Sequence, residues 1–139
     1  MRSEIQNALS ISAMGMRAQA ARLRVVSENV ANADTTGLTE GADPYRRQTI
    51  TFKNVMDKKL GVPVVQVDKI GQDQKTPFTL KYLPGHPAAD KAGYVKMPNL
   101  NPLIELMDVK EAQRSYEANL GMIEQSRGML ARTIDLLRG

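Results

Sequence analysis

The 139 residues suffice for one ordinary domain, and with 42% hydrophobic residues but only six Phe and Tyr any core is aliphatic and thin. The formal charge of +4 is spread as four basic and two acidic groups in residues 1–33, ten and seven in 34–100, and five and six in 101–139, with no aromatic residues interleaved among the cations; this argues against nucleic acid as a partner. Cysteine is absent, which excludes a disulfide framework and a thiolate metal site, and no run approaches the roughly 20 apolar residues of a membrane-spanning helix.

At the N-terminus, Ser3 and Gln6 have the spacing of a capping box, in which hydroxyl and carboxamide satisfy orphaned backbone N–H groups of a first helical turn. Glu4 and Gln6 spoil the flank of a secretory leader, and Ser10, Ser12 and Arg17 interrupt its apolar region, so no cleaved signal peptide is expected and the default location is the cytosol. Ile5, Leu9, Ser12, Met16, Gln19, Leu23, Val26, Val30 and Ala33 then recur at alternating steps of four and three, which keeps one helix face toward a partner helix. Asn32, Asp34, Thr36 and Gly37 form a stop, with Gly37 expected at the positive φ that helix exits demand.

Residues 34–100 hold every proline except Pro102. Short runs rich in β-branched or aromatic residues predict strands at Ile50 with Phe52, Val62 to Val67, Thr76 to Leu83 and Gly93 to Met97. The last helix is strongly signalled. Asn101 caps it, Pro102 occupies the first helical position where a missing N–H costs nothing, and Glu105 suits the positive end of the helix dipole. From there Leu106, Val109, Gln113, Tyr116, Leu120, Ile123, Arg127, Leu130, Ile134 and Leu137 continue the three-four alternation. Gly15, Gly121 and Gly128 each cost about 1 kcal/mol inside a helix, an expense that close approach by another backbone would offset.

The expected fold is α+β: long N- and C-terminal helices paired as a coiled coil, residues 1–33 and 101–139 forming a discontinuous helical domain, and a small irregular β-rich module over 34–100. The residues assigned to assembly and helix pairing are Leu9, Met16, Leu23, Val26, Val30, Tyr116, Leu120, Ile123, Leu130, Ile134 and Leu137. No catalytic, cofactor-binding or metal site is expected. His86, the sole histidine, sits in a Pro-Gly-His-Pro turn with no second imidazole to help it hold a metal. Glu105, Asp108 and Glu111 read as a solvated acidic helix face, since paired glycosidase carboxylates need a cleft between them.

Several segments resemble the flagellar rod and hook axial proteins. Ala8-Leu9-Ser10-Ile11-Ser12-Ala13-Met14-Gly15-Met16-Arg17-Ala18-Gln19, followed by Ser27-Glu28-Asn29-Val30-Ala31-Asn32-Ala33, is similar to the N-terminal motif of that family, with Met14 standing where a small serine is usual. Asp43-Pro44-Tyr45-Arg46-Arg47, Pro84-Gly85-His86-Pro87-Ala88-Ala89-Asp90, Gly93 to Asn99, and Glu111-Ala112-Gln113-Arg114-Ser115-Tyr116-Glu117-Ala118-Asn119 resemble its short proximal rod members, and the brief middle lacks the insertions of hook and distal-rod relatives. The resemblance implies a non-catalytic subunit of the bacterial flagellar basal-body rod, the axle that carries torque through the periplasm. It further implies export by the flagellar type III apparatus without a cleaved signal, hence a periplasmic location, and as partners copies of itself, other rod proteins and the base-adjacent rod adaptor, with no cofactor, no nucleic acid and no membrane span. Two other readings of the residues remain: a cytosolic helical-hairpin module gripping a protein or nucleic-acid partner, and a peptidoglycan hydrolase.

Overall fold

The computed structural model describes residues 2–139, with side chains from Glu4 onward; the hydroxyl of Ser3, on which the proposed capping box depends, lies outside the described residues. Helix α1 spans Arg2–Ala31, strands β1 and β2 span Gln48–Asp57 and Val62–Gln72, β3 and β4 span Thr79–Tyr82 and Tyr94–Met97, and helix α2 spans Pro102–Arg138. The class is α+β. All four predicted strand regions are strands, and β1 pairs with β2 in one two-stranded sheet while β3 and β4 form another.

Local chemistry accounts for the element boundaries. The N–H of Leu103 donates to Asn101 Oδ1 at 3.0 Å and that of Glu105 to the Asn101 carbonyl at 3.1 Å, so the predicted cap with Pro102 behind it starts α2. At the end of α1, Asn32 Nδ2 donates to the Glu28 carbonyl at 2.8 Å and Thr35 Oγ1 to Asn32 Oδ1 at 3.1 Å, which closes the last turn with side-chain bonds. Gly37 does not take the positive φ expected of it; the described glycines that do are Gly41, Gly61 and Gly93. What position 37 requires is the absence of a side chain, since a Cβ there would lie 2.5 Å from the Cβ of Ala42. Between β1 and β2, Asp57 Oδ1 accepts the N–H groups of Lys59 and Leu60 at 2.8 and 3.0 Å, and Gly61 (φ 68°) returns its N–H to the Asp57 carbonyl.

The chain divides into two compact units, one of Met1–Leu23, Thr51–Lys69 and Lys110–Gly139, the other of Arg24–Ile50 and Ile70–Val109. In the first, Ile5, Ser12 and Ala18 of α1, Val64 of β2, and Ala112 and Ser126 of α2 are buried. Val65 to Val67 of β2 share a cleft with Met14, Arg17 and Ala18, so this strand lies against α1. In the second unit, Val25, Val26 and Asn29 of α1, Ala88, Val95 of β4, Asn99 and Glu105 are buried. Antiparallel β3 and β4 pair Thr79 with Met97 through to Tyr82 with Tyr94, whose rings meet edge to face at 5.3 Å.

Two glycine substitutions test this packing. Gly37→Ala forces apart a contact that cannot relax cheaply and should lower stability by about 1–3 kcal/mol. A Cβ at Gly121 meets nothing within 4 Å, so Gly121→Ala in the isolated chain should raise stability by about 0.5–1 kcal/mol through helix propensity. Urea midpoints of the two variants should move in opposite directions.

Candidate assembly surfaces

The second unit is organised around buried polar side chains, among them Asn29, Asn99 and Glu105. Asn29, on α1 and only 1% exposed, uses all its hydrogen-bonding capacity. Its Nδ2 donates to the Gln48 carbonyl at 2.9 Å and to Glu105 Oε2 at 3.3 Å, while its Oδ1 accepts from Tyr45 Oη at 2.7 Å and from the Gln48 N–H at 2.9 Å. Glu105, likewise 1% exposed, takes the Arg47 Nε–H on its other oxygen. The Arg47 N–H donates to Asn99 Oδ1 at 2.8 Å, and Asn99 Nδ2 donates to the carbonyls of Asp73 and Thr76, both at 3.0 Å. One network thus ties the end of α1, the start of β1, the loop after β2 and the first turn of α2. Glu105 therefore departs from the solvated acidic face expected for it: a guanidinium and a carboxamide replace the water that its carboxylate gives up. Glu111, one of the two other carboxylates in that face, is exposed and pairs with Arg22 at 3.4 Å.

The electrostatics of this unit follow from the same bonds. Burial raises the Tyr45 phenol above its ordinary value of 10.0, with the charges of Glu28 and Glu105 adding to the effect, so it remains a neutral donor to Asn29. Asp73 is lowered to about 2, chiefly by the backbone N–H and hydroxyl of Thr76, then by the Lys75 N–H and the charge of Arg47. Arg46 Nη1 donates to the Asp73 carbonyl at 3.1 Å, and its guanidinium carbon stands 4.4 Å from the centre of the Phe78 ring. Arg47, Asp73 and Glu105 all line a groove of about 400 Å³ in this unit, and each is engaged in the hydrogen bonds just described. His86 holds a turn: its Nδ1 accepts the Ala88 N–H at 3.0 Å and its Nε2 lies 3.3 Å from Thr36 Oγ1. Among the described residues no group of three or more His, Asp or Glu is placed to hold a metal ion.

In the first unit α1 and α2 meet in antiparallel order. Arg22 contacts Glu111, a Cβ on Gly15 would touch the Asn119 carboxamide at 2.9 Å, and Ile5 and Ala8 share a cleft with Met122, Ser126 and Met129. The deepest positions of α2 in this unit are small or polar: Ala112 and Ser126 are buried, and Asn119 between them is half-buried, at seven-residue spacing. On α1 the series at the same spacing is Ile5, Ser12 and Gln19. Gly15 thus admits a close neighbour as expected, although that neighbour is a side chain, whereas Gly121 and Gly128 face open space in the single chain.

The residues assigned to pairing and assembly are placed unevenly. Met16, Tyr116 and Ile123 line one cleft with Ala13 and Ala20, Val26 is buried, and Leu9, Leu23, Val30 and Leu130 are half-buried. Leu120 (39% exposed), Ile134 and Leu137 (81%) face outward. With Leu106, Leu120 and Ile134 make a row at fourteen-residue spacing along α2, and Leu103, Ile104 and Met107 add exposed apolar area near its start.

Residues 9–39 match the family described as flagella basal body rod protein, and residues 91–136 the C-terminal family of the flagellar basal body rod FlgEFG proteins. The chain is 54% identical over 131 residues to the flagellar basal-body rod protein FlgC of Agrobacterium fabrum, with 94% of each chain covered. The chain belongs to the FlgC family. Identity to the FlgC of Borreliella burgdorferi is 35% over 151 residues, covering 96% of this chain and 97% of that one. To the FlgC of Salmonella typhimurium it is 35% over 130 residues, covering 94% and 96%. As a FlgC family member the chain is a structural subunit of the bacterial flagellar basal-body rod and not an enzyme. No helix among the described residues is long and apolar enough to cross a membrane.

The polar network makes a testable demand. Arg47→Ala strands Glu105 as a buried carboxylate without its cation and should cost about 3–5 kcal/mol, whereas Arg47→Ala combined with Glu105→Leu should recover a large part of that loss. Chemical denaturation of the two variants checks the difference, and equal losses would contradict the assigned role of the pair.

Proposed function

We propose that the terminal helices pair as a coiled coil through their small and polar positions and pack against neighbouring subunits through the large apolar residues of α2, building a helical tube that transmits torque. The observation that carries this reading is the split on α2, where Ala112 and Ser126 are buried within the chain while Leu106, Leu120, Ile134 and Leu137 are left exposed. Fully burying an exposed large aliphatic side chain contributes about 1.5–3 kcal/mol; Leu106, Leu120 and Ile134 are already about half covered, so completing their burial contributes part of that each, which favours contact with further subunits. Heterologous contacts that do not close into a ring propagate a helix of subunits, which is a tube when many strands run together.

In this reading residues 1–33 and 101–139 form the inner helical layer and residues 34–100 a β-rich module facing outward. Copies of the chain, other rod proteins and the base-adjacent rod adaptor are the neighbours. Export by the flagellar type III apparatus delivers the subunit to the periplasm without a cleaved signal. Gly121 and Gly128, open in the single chain, allow a neighbouring backbone to approach α2 closely.

Leu120→Asp tests the proposal, because Leu120 is 39% exposed in the single chain and the circular dichroism of the variant reports separately on the chain's own packing. The variant should fold with an unchanged helical circular dichroism spectrum yet fail to restore motility to a strain lacking the wild-type gene. Normal swimming by that strain would overturn the assembly role of this row.

A further inference from the structure

A second row of exposed side chains on α2 has a chemistry of its own. Met122, Met129 and Leu136 recur every seven residues, and Met122 (49% exposed) and Met129 (45%) flank the cleft of about 220 Å³ that also holds Ile5 and Ala8 of α1. The chain contains eight methionines and no cysteine, so thioethers are the only sulfur a two-electron oxidant can attack. Methionine is otherwise a flexible apolar filler suited to such an edge. Met14 and Met16 on α1, by contrast, are half-buried.

We propose that Met122 and Met129 form an oxidation-sensitive pair, at which a hydroperoxide converts each thioether to a sulfoxide and thereby withdraws the subunit from assembly. The reaction transfers one oxygen: the O–O bond of the peroxide breaks, a sulfur–oxygen bond forms, the sulfur is oxidised by two electrons, and the peroxide is reduced to water or an alcohol. The product is a strong, permanently polar acceptor beside a cleft lined by Ile5 and Ala8 as well as Glu4, Gln125 and Ser126, where it replaces the apolar contact that the thioethers offer to Ile5 and Ala8. Two consequences follow. The first turns of α1 lose their apolar contact with α2, and the edge of α2 becomes unfit for dry contact with a neighbour. The second consequence rests on the assembly reading above; the first does not.

The test has a biochemical and a cellular arm. The purified full chain is treated with hydrogen peroxide and digested, and each methionine peptide is weighed. Met122 and Met129, with the still more exposed Met56 and Met107, should gain one oxygen each well before Met14 and Met16, and hydrogen exchange in α1 residues 5–12 should then accelerate several-fold in the wild type but not in M122L/M129L, which keeps Met56 and Met107. Slow oxidation at both positions, or unchanged exchange after it, overturns the proposal. In cells lacking the wild-type gene, M122L/M129L should restore motility, and M122Q/M129Q, which carries a polar carboxamide of similar length on a good helix former, should not. Motility with both variants overturns the effect on assembly, and motility with neither shows that polarity is not what matters and overturns it as well. Normal swimming by Leu120→Asp would sink the assembly reading itself, while the peptide masses and exchange rates would still decide whether the methionine pair is the oxidised site.

Discussion

A buried carboxylate with its cation 58 positions earlier in sequence is the constraint on which the second unit depends. Glu105 is excluded from water and is compensated by Arg47 on one oxygen and Asn29 on the other, and Asn29 in turn holds Tyr45 and both backbone groups of Gln48. Each member is satisfied only if all the others are in place. Such a network contributes less to net stability than an apolar core of equal volume, and what it supplies is specificity: alternative registers of α1, β1 or α2 would strand a buried polar group at a cost of several kcal/mol. For a rod subunit, whose neighbours must meet a fixed surface, a single well-defined arrangement matters more than added stability.

The first unit solves a different problem. Two helices that bury their largest side chains against each other have little left for anyone else, and here the deepest positions of α2 are Ala112 and Ser126, with Asn119 opposite Gly15. Leu120 and Ile134 are left exposed. In the assembly proposed above, the exposure of these residues in the single chain and their contacts with neighbouring subunits are two aspects of one residue pattern. The strands show the same sparse burial: Val64 and Val95 are their fully buried residues, and Met56, Ile70, Leu80 and Tyr82 stay exposed.

How much of this was legible in the sequence depended on range. The cap and first turn of α2 were readable because Asn101, Pro102 and Glu105 act on backbone groups within four residues. The four strand regions were readable from β-branched runs bounded by turn formers, and the end of α1 from Asn32 and its neighbours. Gly37 was recognised as special for the wrong reason, because a close approach by Ala42 leaves no local signature, whereas a helix exit at positive φ has a well-known one. The burial of Glu105 was not readable, since a carboxylate in a first helical turn looks the same whether it faces water or an arginine distant in sequence. A weaker signal did exist in Asn29, an amide on the same helix face as Val25 and Val26. On α2 the three-four periodicity located the large apolar residues correctly but did not say which partner they face, because periodicity marks a surface and not its occupant.

In the proposed assembly, the large apolar residues which α2 turns away from its own chain are contacts between subunits. The structure of the assembled basal-body rod containing this chain measures that most directly. Leu106, Leu120 and Ile134 should be buried there against helices of neighbouring subunits, with Gly121 and Gly128 at close backbone approaches. A rod in which this row still faces water, and in which neighbours meet only through residues 34–100, would contradict it.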